Sequence, residues 1–204
     1  MNTDLSFVYV VSVIISIIIS LTVHEFMHAF VGFKLGDDTA AEAGRISFNP
    51  LDHIDPLTTV ILPIATILIF GVPILAAKPV PFNPARLKFD EYGSALVSAA
   101  GPLSNLGLAF IGALLAQFVT AGTTAAAFLS TFIVLNVAVF VFNLIPIPPL
   151  DGSRVLYAFA PDSVRRLFDQ IEPYGFFLII ALVLMGGLGG ILGELNQSVL
   201  NLLP

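Results

Sequence analysis

Long apolar stretches alternate with short polar junctions along this chain, and that alternation predicts its architecture. Five apolar stretches stand out. The first runs from about Leu5 to Phe33, and its portion from Leu5 to Val23 (LSFVYVVSVIISIIISLTV) carries no charge. A helix needs about 20 apolar residues to cross a bilayer, so this stretch is long enough. It ends at KLGDD, where Gly36 and two aspartates suit a helix stop. The second stretch, 57–77, is interrupted by Pro63, Gly71 and Pro73. The third spans about Gly93 to Val119, the fourth about Ala125 to Ile145, and the fifth, Tyr174 to Leu192, contains the glycine-rich MGGLGG. Between the first two lies GRISFNPLDHIDP, whose Asn-Pro and Asp-Pro pairs predict turns, while Gly44 to Phe48 alternates like a short strand. KPVPFNPARLKFDEY is an extended, proline-rich connector, and 151–173 is a polar segment with Arg154, Arg165 and Arg166. No internal repeat is visible.

Composition sharpens this picture. Hydrophobic residues make up 57% of the chain and charged residues 11%, the profile of an integral membrane protein. One compact membrane domain over residues 1–204 is expected, without an added soluble module. Only eight Lys and Arg against a net charge of −6 leave no basic patch for nucleic acid. The lack of cysteine excludes disulfides and thiolate metal ligands. The first stretch is too long for a signal-peptide core and lacks a basic leader and a small-residue cleavage site, so it is expected to be retained.

The candidate chemistry sits at the end of that first stretch, in LTVHEFMHAF. His24 and His28 are four residues apart and share one helix face, and Glu25 follows the first histidine. This is H-E-x-x-H, two imidazoles for Zn2+ and a carboxylate to take a proton from the attacking water. The pattern is short and occurs by chance in soluble helices. Inside an apolar span, however, ionisable residues are costly and mark function. Catalytic zinc requires three protein ligands and one open position. The remaining histidine, His53, lies in a loop, and Asp151 in LDG at the end of the fourth stretch is the candidate third ligand. Asp-Gly is also a common turn signal.

Topology favours the ligand reading. For Asp151 to meet the histidines, stretches one and four must end on the same side of the membrane. That holds only if stretch 57–77 dips in and returns, with backbone breaks covered by protein or lining a cavity. With such a re-entrant segment, Lys34, Arg45, Lys78, Arg86, Lys88, Arg154, Arg165 and Arg166 all fall on one side, as the positive-inside rule asks. The expected fold is therefore an all-α integral membrane protein: about four transmembrane helices, including a C-terminal one over 174–192, plus one re-entrant segment and short β or extended loops. Its N-terminus lies outside, and its site lies in the cytoplasmic half of the cell membrane. His24 precedes Lys34 by ten residues, or about 15 Å of helix.

Three motifs in order make the chain resemble the site-2 protease family of intramembrane zinc metalloproteases, in its compact prokaryotic form. They are His24-Glu25-x-x-His28, then Gly101-Pro102-x-x-Asn105, then Asn143-x-x-Pro146-x-x-x-Leu150-Asp151-Gly152. The stretches NPLDHIDP and AKPVPFNP add to it, and the resemblance covers about residues 18–157. It implies one Zn2+ held by His24, His28 and Asp151, Glu25 as general base, and Asn143 positioning or stabilising the substrate carbonyl. The implied partners are the lipid bilayer and a membrane-protein substrate cut within or near a transmembrane segment. The sensing domains and extra leading spans of larger members are not seen.

Each residue also has a plainer reading. Glu25 could form a structural ion pair, but its span contains no basic residue. Asn143 could hydrogen-bond the helix end before Pro146 as well as serve catalysis. Gly101, Asn105 and Asn136 suit helix packing, where small residues permit close approach and amides bond across helices. His53 and Asp55 suit loop structure. GRISF and the AKPVPF region are candidate edges for an unwound substrate, with prolines limiting the pairing of the latter. The rival classes are a carrier or a non-catalytic scaffold that retains zinc, since broken helices at midplane ion sites are also transporter features. A zinc peptidase facing the periplasm is weaker, because the basic loops put the site on the other face.

Overall fold

The structure, a computed structural model, describes residues 2–55, 78–185 and 189–204, with the single positions 59, 61 and 68. All regular structure among the described residues is helical. Helix α1 (Asn2–Lys34) is followed by a single turn, α2 (Thr39–Glu42). Then come α3 (Asp90–Ala116), α4 (Thr124–Asn143), α5 (Asp151–Phe159), α6 (Asp162–Ile171), α7 (Gly175–Leu184) and α8 (Gly189–Leu200). Three of them are long and apolar enough to cross a membrane: α1 over Phe7–Lys34, α3 and α4.

The bundle of α1, α3 and α4 is built on rows of small or polar residues spaced by four. On α1 the buried row is Ser12, Ser16, Ser20, His24 and His28. On α3 it is Gly93, Val97, Gly101, Asn105, Ala109 and Ala113. Such rows let helix backbones approach closely in an apolar medium, where packing and hydrogen bonds hold helices together. The opposite faces carry Phe7, Ile14, Ile18, Leu103, Ile111 and Leu115, all exposed. Only 28% of the most apolar window of α1, 39% of that of α3 and 22% of that of α4 is buried, so most of their apolar surface faces outward, as lipid contact requires.

Two contacts give the helix directions. Asn105 reaches residues 20 and 24 of α1, while Val97 reaches residue 28, so α1 and α3 run antiparallel. A short connection after α3 makes α4 antiparallel to α3, so α1 and α4 run in the same direction and end together. Helix α5 docks on α3, and α8 packs on α4. The polar ends are tied by main-chain bonds: the Lys88 N–H donates to the Leu35 carbonyl at 2.9 Å, and the Lys78 N–H to the His53 carbonyl at 3.1 Å. The second tie brings the two flanks of stretch 57–77 together. The re-entrant path expected between them falls almost entirely outside the described residues.

Two expectations are corrected. GRISF is not a strand: Gly44 turns at φ +68°, and local side-chain bonds take over beyond it. The Ser47 hydroxyl accepts from Asn49 N–H, the Asn49 side chain caps a 3₁₀ turn at Pro50–His53, and buried His53 donates through Nε2 to the Ser47 carbonyl at 2.8 Å. His53 is thus a loop pin, as its plainer reading held. The fifth stretch is not one helix over 174–192. Helix α7 ends at Leu184 with Met185 as its cap, and α8 begins at Gly189.

Candidate metal centre

Helix α1 carries His24 and His28 on its buried row, and α5 brings Asp151 to them as its first residue. The two Nε2 atoms lie 3.0 Å apart, and Asp151 Oδ2 lies 3.2 Å from the first and 3.3 Å from the second. Ligands at zinc–nitrogen and zinc–oxygen bond lengths around one tetrahedral ion stand about 3.3 Å apart. The triangle of donors therefore has the size that a zinc ion requires.

Hydrogen bonding on the far side of each ring supports the same conclusion. His28 Nδ1 lies 2.7 Å from the Val97 carbonyl, and His24 Nδ1 lies 2.7 Å from Asn105 Oδ1. Both partners are acceptors, so each Nδ1 carries the hydrogen and each Nε2 presents a lone pair. Two lone pairs and a carboxylate oxygen then face one point, an arrangement that repels itself unless a cation fills it. The space for that cation comes from α3. A Cβ on Gly101 would lie 2.3 Å from His28 Nε2 and 2.7 Å from His24 Nε2. The donor set and the space at Gly101 both fit a metal ion.

Local sequence explains how Asp151 arrives. Gly152 is packed so tightly that a Cβ would meet the Leu144 carbonyl oxygen at 2.2 Å and that of Ile145 at 2.7 Å. The glycine of LDG thus allows the start of α5 to press against the end of α4, a role in close approach rather than in a turn. An acidic residue in the first turn of α5 is also favoured by the helix dipole.

The centre opens into a cavity of about 880 Å³, in the upper part of the range for ligand sites. Glu25 lines it and is 8% exposed, beside the two histidines and off their shared face. Asn143 lines it too, with its amide donating to the Val139 carbonyl of its own helix at 3.0 Å. Pro79, Val80 and Phe82 form another part of the wall. Arg45, 3% exposed, holds this segment by donating from its guanidinium to the carbonyls of Lys78 and Pro79.

The reading of Gly101 and Asn105 as packing residues alone is incomplete, because both touch the histidines. The signal is present in the sequence as a four-residue spacing, Val97-Gly101-Asn105, that matches His24-His28 on α1. His53 and Asp55 are absent from the donor cluster.

Comparison with known proteins agrees with this geometry. Residues 115–186 match the model of Peptidase family M50. The Bacillus subtilis protein named "Putative zinc metalloprotease YwhC" is 40% identical over 163 residues, covering 76% of this chain and 71% of the relative. The chain belongs to peptidase family M50. Two further relatives of this kind bear the name "Putative zinc metalloprotease Rip2". That of Mycolicibacterium smegmatis is 30% identical over 161 residues, and that of Mycobacterium tuberculosis strain H37Rv is 28% identical over 172. This M50 chain covers 60% and 62% of their lengths. No solved structure matches it. Membership of M50 bears out the resemblance to site-2 proteases, and with it the class of intramembrane zinc metalloprotease. The carrier and scaffold readings find no support.

Proposed function

We propose that this chain hydrolyses peptide bonds within or near the transmembrane segments of other membrane proteins, using Zn2+ held by His24, His28 and Asp151. The observation that carries the assignment is the triangle of three donors with edges of 3.0, 3.2 and 3.3 Å, open to a large cavity. When bound, zinc lowers the pKa of an adjacent water to about 7 and polarises the scissile carbonyl.

The remaining steps belong to the chain. Glu25 accepts a proton from the attacking water and passes it to the leaving nitrogen, a transfer that suits a buried carboxylate next to a ligand. Asn143 leaves its Val139 carbonyl and donates to the substrate carbonyl as negative charge develops there. A substrate helix must unwind to be cut, and the extended wall at 78–82 is the edge that receives it. Val80 carries the one N–H between Pro79 and Pro81, so this edge offers few pairing positions. All of this takes place in a single membrane domain over 1–204. The N-terminus lies outside, and the site faces the cytoplasmic half of the cell membrane.

The test uses purified protein and a single-span substrate. Glu25→Gln keeps zinc and loses cleavage, while Asp151→Ala loses zinc. Cleavage by Glu25→Gln overturns the base assignment, and full zinc content in Asp151→Ala overturns the ligand set.

A further inference from the structure

We propose that Asn105 is a positioning residue that fixes the tautomer and orientation of His24, and that Ser20 and Asn136 hold it in register to do so. The inference rests on the zinc-site reading above and assigns a specific task to a residue that does not itself belong to the donor cluster.

Asn105 is completely buried, as is Asn136. A primary amide in such surroundings is costly unless its hydrogen-bonding groups find partners. Here they do. Asn105 Nδ2 donates to the Ser20 hydroxyl at 2.8 Å, to the Ser20 carbonyl at 3.2 Å and to Asn136 Oδ1 at 3.1 Å. Asn136 Nδ2 in turn donates to the Phe132 carbonyl at 2.9 Å, so its own oxygen is the end turned to Asn105. These contacts define which end of the Asn105 amide is oxygen: a flipped amide would set Oδ1 against two acceptors. Oδ1 is thereby left facing His24 Nδ1 at 2.7 Å, where it can only accept.

The consequence is directional. With hydrogen on Nδ1, the His24 lone pair is on Nε2, aimed at His28 Nε2 and Asp151 Oδ2. Helices α1, α3 and α4 each contribute one amide or hydroxyl to the arrangement, which links the interhelical contact to the metal-binding face. His28 receives the same treatment from the Val97 carbonyl, which no side-chain substitution can remove. Asn105 is therefore the one of the two supports that mutagenesis can address. Partners of this kind are worth 10- to 100-fold in metal affinity in metalloproteins generally.

The experiment measures zinc affinity in detergent-solubilised full-length protein by chelator competition, together with the ligand-field spectrum of the cobalt-substituted protein and the unfolding temperature without metal. Asn105→Leu keeps the branched shape and removes the acceptor. We expect its zinc affinity to fall about 10- to 100-fold and its cobalt bands to shift. Ser20→Ala, which loosens the amide without touching His24, weakens zinc severalfold and serves as the test if Asn105→Leu does not fold. Zinc affinity and cobalt spectrum equal to those of the parent in Asn105→Leu, or in Ser20→Ala where it stands in, overturn the proposal and leave packing as the role. A parent protein that binds no zinc overturns the zinc-site reading itself, and this proposal with it.

Discussion

Gly101 faces His28 so closely that a methyl group on its Cα would sit 2.3 Å from Nε2 of that histidine. The atoms it would strike are the far ends of two side chains rather than backbone, so the helix can tolerate the change while the donor triangle cannot. Alanine also favours a helix over glycine by about 1 kcal/mol. Gly101→Ala is therefore expected to keep its unfolding temperature without metal and to lose zinc affinity about tenfold or more, the scale seen when the supports of metal ligands are disturbed. Metal analysis beside a thermal melt checks this. Wild-type zinc content in a folded Gly101→Ala protein would place the metal elsewhere.

Gly152 offers the contrasting case. Its added Cβ would meet main-chain oxygens of Leu144 and Ile145, which cannot swing away. Gly152→Ala must push the start of α5 off the end of α4 and carry Asp151 with it. Overpacking of this kind costs about 1–3 kcal/mol. Loss of zinc is thus expected to come with a lower unfolding temperature even in metal-free protein, unlike Gly101→Ala. Melts of the two metal-free variants side by side decide whether the glycines differ in this way.

Neither glycine's contact can be read from the amino-acid sequence, whereas the donors they serve can. The His24, Glu25, His28 pattern and a remote Asp151 are legible because their chemistry is tied to residue type and to the side of the membrane on which each stretch ends. Three long apolar helices are legible from their length. The rows of four on α1 and α3 are present in the sequence, but nothing in one chain says which rows face one another, so Asn105 reads as generic packing. The strand expected at GRISF fails because alternation over five residues is weak beside the side-chain bonds of Ser47, Asn49 and His53. The fifth stretch reads as one helix because its apolar run is unbroken, and hydropathy does not mark the turn at Met185 where α7 ends.

Arg45 supports the cavity from outside the donor set. Its guanidinium reaches two successive carbonyls, of Lys78 and Pro79, and its burial lowers its pKa while the charges of Glu25 and Asp52 act to raise it. A forked, permanently charged donor suits two acceptors in a row, and lysine cannot reproduce the fork. Each hydrogen bond to a charged group is worth about 1.5–3 kcal/mol. Arg45→Lys is expected to retain zinc and to lower kcat/KM for a single-span substrate about tenfold or more, chiefly through KM, because the receiving edge loses its support. Unchanged kinetics would show that the wall at 78–82 does not take part in substrate binding.

Asp37 supplies a dependence on pH that is independent of the metal. It lies just beyond α1 and is 1% exposed. Its Oδ1 accepts from the Thr39 hydroxyl and N–H, and its Oδ2 from the Asn83 N–H, which ties the end of α1 to the approach to α3. Burial alone would raise its pKa, but the bonds from Thr39 and Asn83, with the charge of Arg86 nearby, outweigh that and hold it below the ordinary carboxylate value. A carboxylate with a lowered folded-state pKa stabilises the fold fully above its unfolded value of about 3.9, and that contribution is lost as pH falls through the folded value. Asp37→Asn removes the charge and turns an N–H donor toward that of Asn83. The variant is expected to be less stable than the parent by about 2 kcal/mol near neutral pH. The gap should hold from about pH 6 down to about 4 and narrow only below that, as pH falls from the unfolded value toward the lower folded-state value, because the parent then loses what the variant never had. Thermal melts of both proteins across that range test the sign, and a gap that stays constant would mean that the Asp37 charge contributes nothing to the tie.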